Sequence, residues 1–309
     1  MRHLLSLADL SPAEFLGLLE LAAYLKERWR QGVIERALAG ATLAMIFEKP
    51  SLRTRLSFEV AMEQLGGRGI YIRGEEIGIG QREAIQDIAR VLSRYHQGIM
   101  ARVFRQQTVV DLARYGSVPV INGLSDEGHP CQVLADFLTI REHCGAVAGL
   151  TIAFIGDANN VARSLAQACI LAGSRLVVAS PPGYAFTEAD RAAFGAQWGT
   201  AVRQLHDPAE AARGADILYT DVWTSMGQER EQAARRAAFA GFCIDERLMA
   251  LAPRAKIMHC LPAHRGEEIS DAALESPQSI VFDQAENRLH AQKAVLRVLL
   301  ARDGAALLG

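Results

Sequence analysis

The sequence lacks the features that mark several special classes of protein. Its 33 Lys and Arg residues are offset by 35 Asp and Glu residues, so no global basic field for nucleic acid exists. No run of about 18 uncharged apolar residues occurs, which predicts no transmembrane helix. Asp9 and Glu14 come too early for a secretory signal, and five cysteines, an odd number, make no disulfide framework. We therefore expect a protein of the reducing cytoplasm with neither nucleic-acid nor membrane partners.

Nucleotide-binding motifs are also missing. No G-x-x-x-x-G-K-[ST] loop occurs, and the segment GDANN at 156–160 lacks G-x-G-x-x-G. The next predicted strand ends in Ser180 and Pro181 and not in an acidic residue for a ribose. These absences disfavour a nucleoside triphosphatase and a dinucleotide-dependent dehydrogenase.

Metal-ligand spacing is absent as well, although His and Cys are neighbours at three places. Neither C-x-x-C nor H-x-x-x-H occurs, and adjacent residues on a strand point to opposite faces. We therefore expect no metal. The neighbouring pairs are His129/Cys131, His143/Cys144 and His259/Cys260.

Short apolar runs alternate with helical patterns, in a chain that is 50% hydrophobic and 22% charged. This alternation predicts an α/β fold with mainly parallel sheets flanked by helices. At roughly 100–200 residues per domain, the length indicates two domains. We expect one domain at 1–145, a second at 146–284, and a final helix within 285–309 that packs back on the first domain. The predicted strands are residues 42–47, 99–104, 118–121, 151–155, 175–179, 216–220, 256–260 and 279–283, and the predicted helices include 11–29, 56–65, 131–144 and 287–300.

Polar segments follow seven of these strands. Ligands in open α/β sheets bind outside the carboxyl ends of the strands. The pattern therefore predicts an active site in a cleft between the two domains. The segments are EKPSLRTR, Arg102, NGLSDEGHPCQ, GDANN, DVWTSMGQ, CLPAHRG and AENR.

The segment 51–55, SLRTR, combines hydroxyls and guanidiniums where a strand turns into a helix. With Ser51 as N-cap, the first helical turn presents N–H groups and the positive end of the helix dipole, which suits a phosphate dianion. The alternative is a capped helix with arginines on its solvent face. Arg102 lies in an apolar run and needs a partner. Arg288 is expected to open the last helix, where a cation opposes the dipole, and so to bind an anion.

Four further residues carry groups suited to catalysis. His129 can donate to a carbonyl oxygen, and Gln132 can donate and accept at an amide. Asp221 is an anionic partner for an amine, and a Cys260 thiolate near cations can accept a proton. The alternatives are a capping histidine, a capping aspartate and a buried apolar cysteine.

Together these motifs resemble those of the aspartate/ornithine carbamoyltransferase superfamily, and most closely its ornithine enzymes. S-x-R-T-R and H-P-x-Q are shared across the superfamily, whereas DVWTSMG with HCLP is typical of the ornithine enzymes. The resemblance runs from RHLLSLADLSPAEF to FDQAENRLHAQKAVL. It implies transfer of the carbamoyl group from carbamoyl phosphate to L-ornithine, giving L-citrulline and phosphate. It also implies two closing α/β domains in a homotrimer, or a multiple of it, without metal or cofactor.

The resemblance assigns roles residue by residue. Carbamoyl phosphate would be held by Ser51, Leu52, Arg53, Thr54, Arg102, His129, Gln132 and Arg288, with Cys260 and Leu261 between the two ligands. Ornithine would be held by Asn160, Asp221, Ser225 and Met226. The residues implied in catalysis are Cys260, Arg102, His129 and Asp221.

Two departures from the family pattern stand out. Leu52 replaces a common Thr in the phosphate motif, which removes a hydroxyl. Relatives that act on N-acylated ornithine can also have a bulky apolar residue at this position, so Leu52 keeps that alternative open. Gly78 stands where many ornithine enzymes have a Gln that reaches a neighbouring subunit, and Gln81 or Arg82 are candidate substitutes. The open alternatives are a carbamoyltransferase for N-acetylornithine, putrescine or aspartate, a dehydrogenase, and a non-enzymatic relative.

Overall fold

The apolar runs pair into two separate parallel sheets. The computed structural model describes residues 2–79, 82–225, 227 and 229–308, without the side chains of Glu229 and Ala305. The chain divides into a first unit, Met1–Leu138 with Glu286–Gly309, and a second unit, Thr139–Ala285. The strands are β1 Thr42–Phe47, β2 Arg68–Arg73, β3 Gly98–Arg102, β4 Val120–Leu124, β5 Thr151–Ile155, β6 Arg175–Ala179, β7 Val202–Leu205, β8 Ile217–Thr220 and β9 Lys256–His259.

Helices connect successive strands, as parallel pairing requires. The longest, α1 and α13, belong largely to the first unit, and Ser11 caps α1 through the backbone N–H of Glu14. None of the described helices combines the length and apolar composition needed to cross a membrane. The helices are α1 Pro12–Arg30, α2 Leu52–Gln64, α3 Gly74–Ile77, α4 Ile85–Tyr95, α5 Gln106–Tyr115, α6 Pro130–Cys144, α7 Asn160–Ala172, α8 Glu188–Phe194, α9 Pro208–Ala212, α10 Gln232–Ala238, α11 Glu246–Leu251, α12 Asp271–Leu274 and α13 Val281–Leu300.

The strand order places a topological switch point in each sheet. The first sheet has the order β2-β1-β3-β4 and the second has β7-β6-β5-β8-β9. In the first sheet the chain proceeds from β1 to β2 on one side and from β3 to β4 on the other. In the second sheet it proceeds from β5 through β6 to β7 on one side and from β8 to β9 on the other. Such a reversal leaves a crevice at the carboxyl ends of the two strands concerned. The crevices lie after β1 and β3 in the first unit, and after β5 and β8 in the second.

Central strands and helix faces supply the core of each unit. In the first, Ile46, Ala101 and Val120 are fully buried from three neighbouring strands. In the second, Ile155 and Leu218 are buried from the two strands at the switch point. This burial on both faces explains why the predicted central strands read as continuous apolar runs.

The structure corrects several sequence-based predictions. Strands β2 and β7 were missing from them, because both are edge strands with exposed positions and lack continuous apolar runs. Residues 279–283 are not a strand, since α13 begins at Val281 and Ser279 makes only an isolated bridge to Ile257. A short apolar run does not distinguish a strand from the first turn of a buried helix. The helix predicted from residue 56 begins at Leu52.

Candidate active site

The first unit gathers the predicted phosphate ligands around the start of α2. Ser51 is the N-cap, and its Oγ accepts the backbone N–H of Thr54 at 3.3 Å. The same hydroxyl donates to Thr54 Oγ1 at 3.2 Å. Arg53 follows in the first turn, and Leu52 is 70% exposed. The helix N-terminus, with its positive dipole end, is therefore formed as the motif predicts.

Arg288 reaches this N-terminus from the interior of α13. Its guanidinium donates to Gln132 Oε1 at 2.6 Å and to Thr54 Oγ1 at 3.2 Å, and only 2% of the residue is exposed. The amide of Gln132 donates in turn to Asp136 Oδ1 at 2.8 Å. The prediction that Arg288 opens the last helix is wrong, because α13 begins at Val281. Its buried hydrogen bonds, and not the helix dipole, account for its position.

His129 is surrounded by cations in the same unit. Burial depresses its pKa well below the ordinary 6.5, and the charges of Arg288, Arg102 and Arg53 depress it further. The imidazole is therefore neutral at pH 7 and offers one N–H donor. Arg102 ends β3, is 6% exposed, and lies beside the switch point. The first unit thus combines three guanidiniums, a neutral imidazole and a helix N-terminus, an arrangement suited to a phosphorylated carbonyl compound.

The second unit places a carboxylate at its own switch point. Asp221 directly follows β8 and is 9% exposed. Its Oδ2 accepts the side-chain N–H of Asn159 at 2.9 Å, and its Oδ1 accepts the thiol of Cys260 at 2.9 Å. Cys260 follows β9, so three strand ends supply this cluster. With the S–H donated to a carboxylate, Cys260 is a thiol in this arrangement, and a thiolate would repel Asp221.

The remaining predicted ornithine ligands lie in adjacent segments. Asn160 opens α7, and its Oδ1 accepts the backbone N–H of Val161 at 3.1 Å. Ser225 is half-buried in the segment that follows Asp221. Met226 lies outside the described residues.

Sequence reasoning missed Asn159, which lies between β5 and α7. It caps α7 by accepting the backbone N–H groups of Val161 and Ala162, and it also donates to Asp221. The N-cap role is readable from an Asn before a helical pattern. The partner is not, because Asp221 lies 62 residues away along the chain.

A second missed pair, His259 and Glu268, supports the HCLP segment. The imidazole Nδ1 accepts the backbone N–H of Leu261 at 2.8 Å, so the proton lies on Nε2, which donates to Glu268 Oε1 at 2.9 Å. Both side chains are fully buried. Leu261 has φ 54, a left-handed conformation that costs a non-glycine residue roughly 1–2 kcal/mol. The hydrogen bond from its N–H helps hold this conformation beside Cys260.

The same region contains metal-ligand residue types. Asp221, His259 and Cys260 each place one potential ligand atom within 4.8 Å of the others. Both ring nitrogens of His259 are engaged in the hydrogen bonds to Leu261 and Glu268. A metal would have to break those bonds, so the arrangement favours a hydrogen-bonded cluster.

Gly78 lies in the segment where an intersubunit contact was in question. It directly follows α3 as its C-cap, with φ 62, and a Cβ there would approach Arg82 Cβ to 2.8 Å. The guanidinium of Arg82 donates to the carbonyl of Glu76 at 3.3 Å. Gln81 lies outside the described residues. The positive φ and the closeness of Arg82 therefore explain a glycine at position 78.

Comparison with known proteins decides the family. Residues 2–142 match the model of the carbamoyl-P binding domain of aspartate/ornithine carbamoyltransferases, and residues 148–299 match the Asp/Orn binding domain. The chain belongs to the aspartate/ornithine carbamoyltransferase family. An ornithine carbamoyltransferase of Archaeoglobus fulgidus is 49% identical over 98% of this chain and 99% of that protein. One of Pyrococcus abyssi is 52% identical over 97% of this chain and 96% of that protein.

Solved structures of this family share the fold. The ornithine carbamoyltransferase of Pyrococcus furiosus superposes with a TM-score of 0.93 at 50% identity, covering 97% of each chain. That of Thermus thermophilus gives 0.87 at 46% identity, covering 96% of this chain and 98% of the other. An N-acetyl-L-ornithine transcarbamylase also superposes, with 0.86 at 32% identity over 97% of this chain and all of the other. The family thus confirms the predicted class of two domains, each a parallel sheet flanked by helices.

Proposed function

We propose that this member of the family is an ornithine carbamoyltransferase (EC 2.1.3.3), which makes L-citrulline and phosphate from carbamoyl phosphate and L-ornithine. The observation that carries the proposal is the contact between Asp221 and the Cys260 thiol at 2.9 Å. It joins the segments DVWTSMG and HCLP, whose combination is typical of the ornithine enzymes. The relatives at about 50% identity bear the same name, which supports ornithine over another amine.

The residues of the first unit suit carbamoyl phosphate. The N-terminus of α2, with Ser51 and Arg53, provides donors for a phosphate dianion. Arg102, the neutral His129 and Thr54 provide donors for the carbonyl oxygen, which becomes an oxyanion on attack. Gln132 and Arg288 support Thr54 through the hydrogen bonds described above. We assign carbamoyl phosphate to the domain at 1–145, with the final helix.

The residues of the second unit suit the amine substrate. The δ-ammonium of ornithine has an ordinary pKa near ~10.4, and only its neutral form attacks. In the proposed reaction the ammonium first loses one proton to solvent. The neutral nitrogen then forms a bond to the carbonyl carbon, the bond from that carbon to the phosphate oxygen breaks as phosphate leaves, and the nitrogen loses a second proton. Asp221 is the base nearest Cys260, so we assign it this second proton, relayed through the thiol. We assign ornithine to the domain at 146–284, with Asn160, Ser225 and Met226 on its α-amino and carboxylate groups.

The setting of the reaction completes the proposal. A relative of Pyrococcus furiosus at 50% identity is named an anabolic ornithine carbamoyltransferase, which supports a role in arginine biosynthesis. A cytoplasmic homotrimer, or a multiple of it, follows from the family resemblance. Light scattering measures the assembly directly.

A product assay with a panel of amines tests the proposed function. Carbamoyl phosphate is supplied with L-ornithine, N-acetyl-L-ornithine, putrescine or L-aspartate, and the carbamoylated product is quantified. We expect L-ornithine to give the highest kcat/KM by at least tenfold. A higher value with N-acetyl-L-ornithine would overturn the substrate assignment and would connect the exposed Leu52 with an acylated substrate.

A further inference from the structure

A buried arginine in the second unit joins several segments. Arg235, in α10, is 6% exposed. Its Nη1 donates to Asp157 Oδ2 at 2.7 Å and to the backbone carbonyl of Trp223 at 3.0 Å. Its Nε donates to Glu231 Oε2 at 3.0 Å, and the ring of Tyr184 lies 5.0 Å from the guanidinium carbon. The guanidinium is therefore held on several sides by polar and aromatic groups.

The two loops that Arg235 joins are those that carry the proposed ornithine ligands. Asp157 lies in the turn between β5 and α7, two residues before Asn159. Trp223 lies between Asp221 and Ser225, in the segment that follows β8. A hydrogen bond to a backbone carbonyl restrains the main chain. Arg235 therefore restrains the path of residues 221–225 relative to the β5–α7 turn.

Arg235 also balances charge near Asp221. Burial raises the pKa of Asp157 above its ordinary value, and the negative charge of Asp221 raises it further. The hydrogen bond and positive charge of Arg235 act in the opposite direction. Breaking a buried pair by removing one partner leaves an uncompensated charge. Without Arg235, the carboxylate of Asp157 would lie near Asp221 and would lack its hydrogen-bonded cation.

We propose that Arg235 is a positioning residue for the amine substrate, which it serves by holding the Trp223 carbonyl and neutralising Asp157. Asp221 is then presented to the substrate in a fixed place and as a separate negative charge. Arg235 itself does not contact the reacting atoms. The inference rests on the proposed function for the identity of the amine, but the restraint on residues 221–225 does not depend on it.

Substitutions at Arg235 separate its two contributions. In Arg235→Gln both the charge and the fork of donors are lost, and we expect the KM for L-ornithine to rise by about 10- to 100-fold, since small displacements of binding groups cost this much. Arg235→Lys keeps a charge opposite Asp157 but acts as a point charge, so we expect an intermediate KM. The double variant Asp157→Asn/Arg235→Gln restores the charge balance, but it still lacks the hydrogen bond to the Trp223 carbonyl. Its KM should therefore remain raised.

Arg236 provides a matched control one position along α10. Its side chain is 55% exposed and pairs with Glu267, so Arg236→Gln should leave the KM for L-ornithine within twofold of wild type. Calorimetry with carbamoyl phosphate alone should give Kd values within twofold for all variants. Equal losses for both ligands, or an unchanged KM for L-ornithine in Arg235→Gln, would refute the positioning role.

Hydrogen exchange in the substrate-free protein tests the restraint independently of activity. We expect faster amide exchange at residues 221–225 in Arg235→Gln than in Arg236→Gln, with unchanged exchange in the first unit. If the wild type makes no citrulline but this local difference appears, the proposed function fails and the positioning role stands. Unchanged exchange at 221–225 refutes the positioning role even if the wild type makes citrulline.

Discussion

Acidification below pH 6.5 should destabilise this protein through His129. Burial and the charges of Arg288, Arg102 and Arg53 hold the pKa of the folded imidazole well below its ordinary 6.5. In the unfolded chain the same imidazole titrates near ~6.5. Below that pH the imidazole is therefore protonated in the unfolded state and stays neutral in the folded state. The loss of unfolding free energy through His129 is absent at higher pH and grows as the pH falls towards the pKa of the folded imidazole.

The linkage relation gives the magnitude. With a limiting slope of about 1.36 kcal/mol per pH unit, the step from pH 7.5 to pH 5.5 should remove about 1.4 kcal/mol of unfolding free energy through this group. The comparison protein is His129→Asn, which retains an N–H donor and does not titrate. Both proteins contain the other titratable groups, whose contributions cancel in the difference.

Urea unfolding at the two pH values measures this difference. Wild type should lose about 1.4 kcal/mol more than His129→Asn between pH 7.5 and pH 5.5. Inorganic phosphate should shrink the difference, because a phosphate anion beside the arginines opposes their effect on the imidazole. Equal losses in the two proteins, without phosphate, would refute the placement of a neutral histidine among these cations.

Three further predictions address the substrates. Arg53→Lys should weaken carbamoyl phosphate binding by about 1.5–3 kcal/mol, since an ammonium does not reproduce a bidentate contact. KM and kcat values within twofold of wild type would contradict this. Asp221→Asn should raise the KM for L-ornithine and leave calorimetric binding of carbamoyl phosphate intact, whereas equal loss of both would indicate a folding defect. Cys260→Ala should keep the melting temperature but lower kcat, by up to ~10²–10⁴-fold if proton transfer is at stake, with a smaller loss at high pH, where more free ornithine is already neutral. A kcat/pH profile that overlays wild type would remove Cys260 from the mechanism.

Motifs of local origin were predicted well. Ser51 caps α2, and Asp221 follows β8, as the apolar runs and capping pattern indicate. Each depends on residues only a few positions apart, so hydrophobic periodicity and cap chemistry suffice. The family resemblance added the roles of the individual residues, which local sequence patterns alone leave open.

Partners distant in sequence were not predicted. Arg288 contacts Thr54 across 234 residues, and Asp221 contacts Asn159 across 62. The buried pair His259 and Glu268 consists of residue types that local patterns assign to the surface or to a metal. Such contacts depend on which helix packs on which sheet, and no short pattern encodes that.

The fold class, the central strands and the caps could be inferred from the amino-acid sequence, because burial on both faces and local hydrogen bonding constrain neighbouring residues. The strand order could not, and with it came the two switch points beside which the predicted site residues lie. The structure also showed that residues 279–283 include the start of a helix, that β2 and β7 are edge strands, and that Arg288 lies inside α13. The physical reason is that pairing and packing are chosen by the total burial of the chain, whereas propensity is only local.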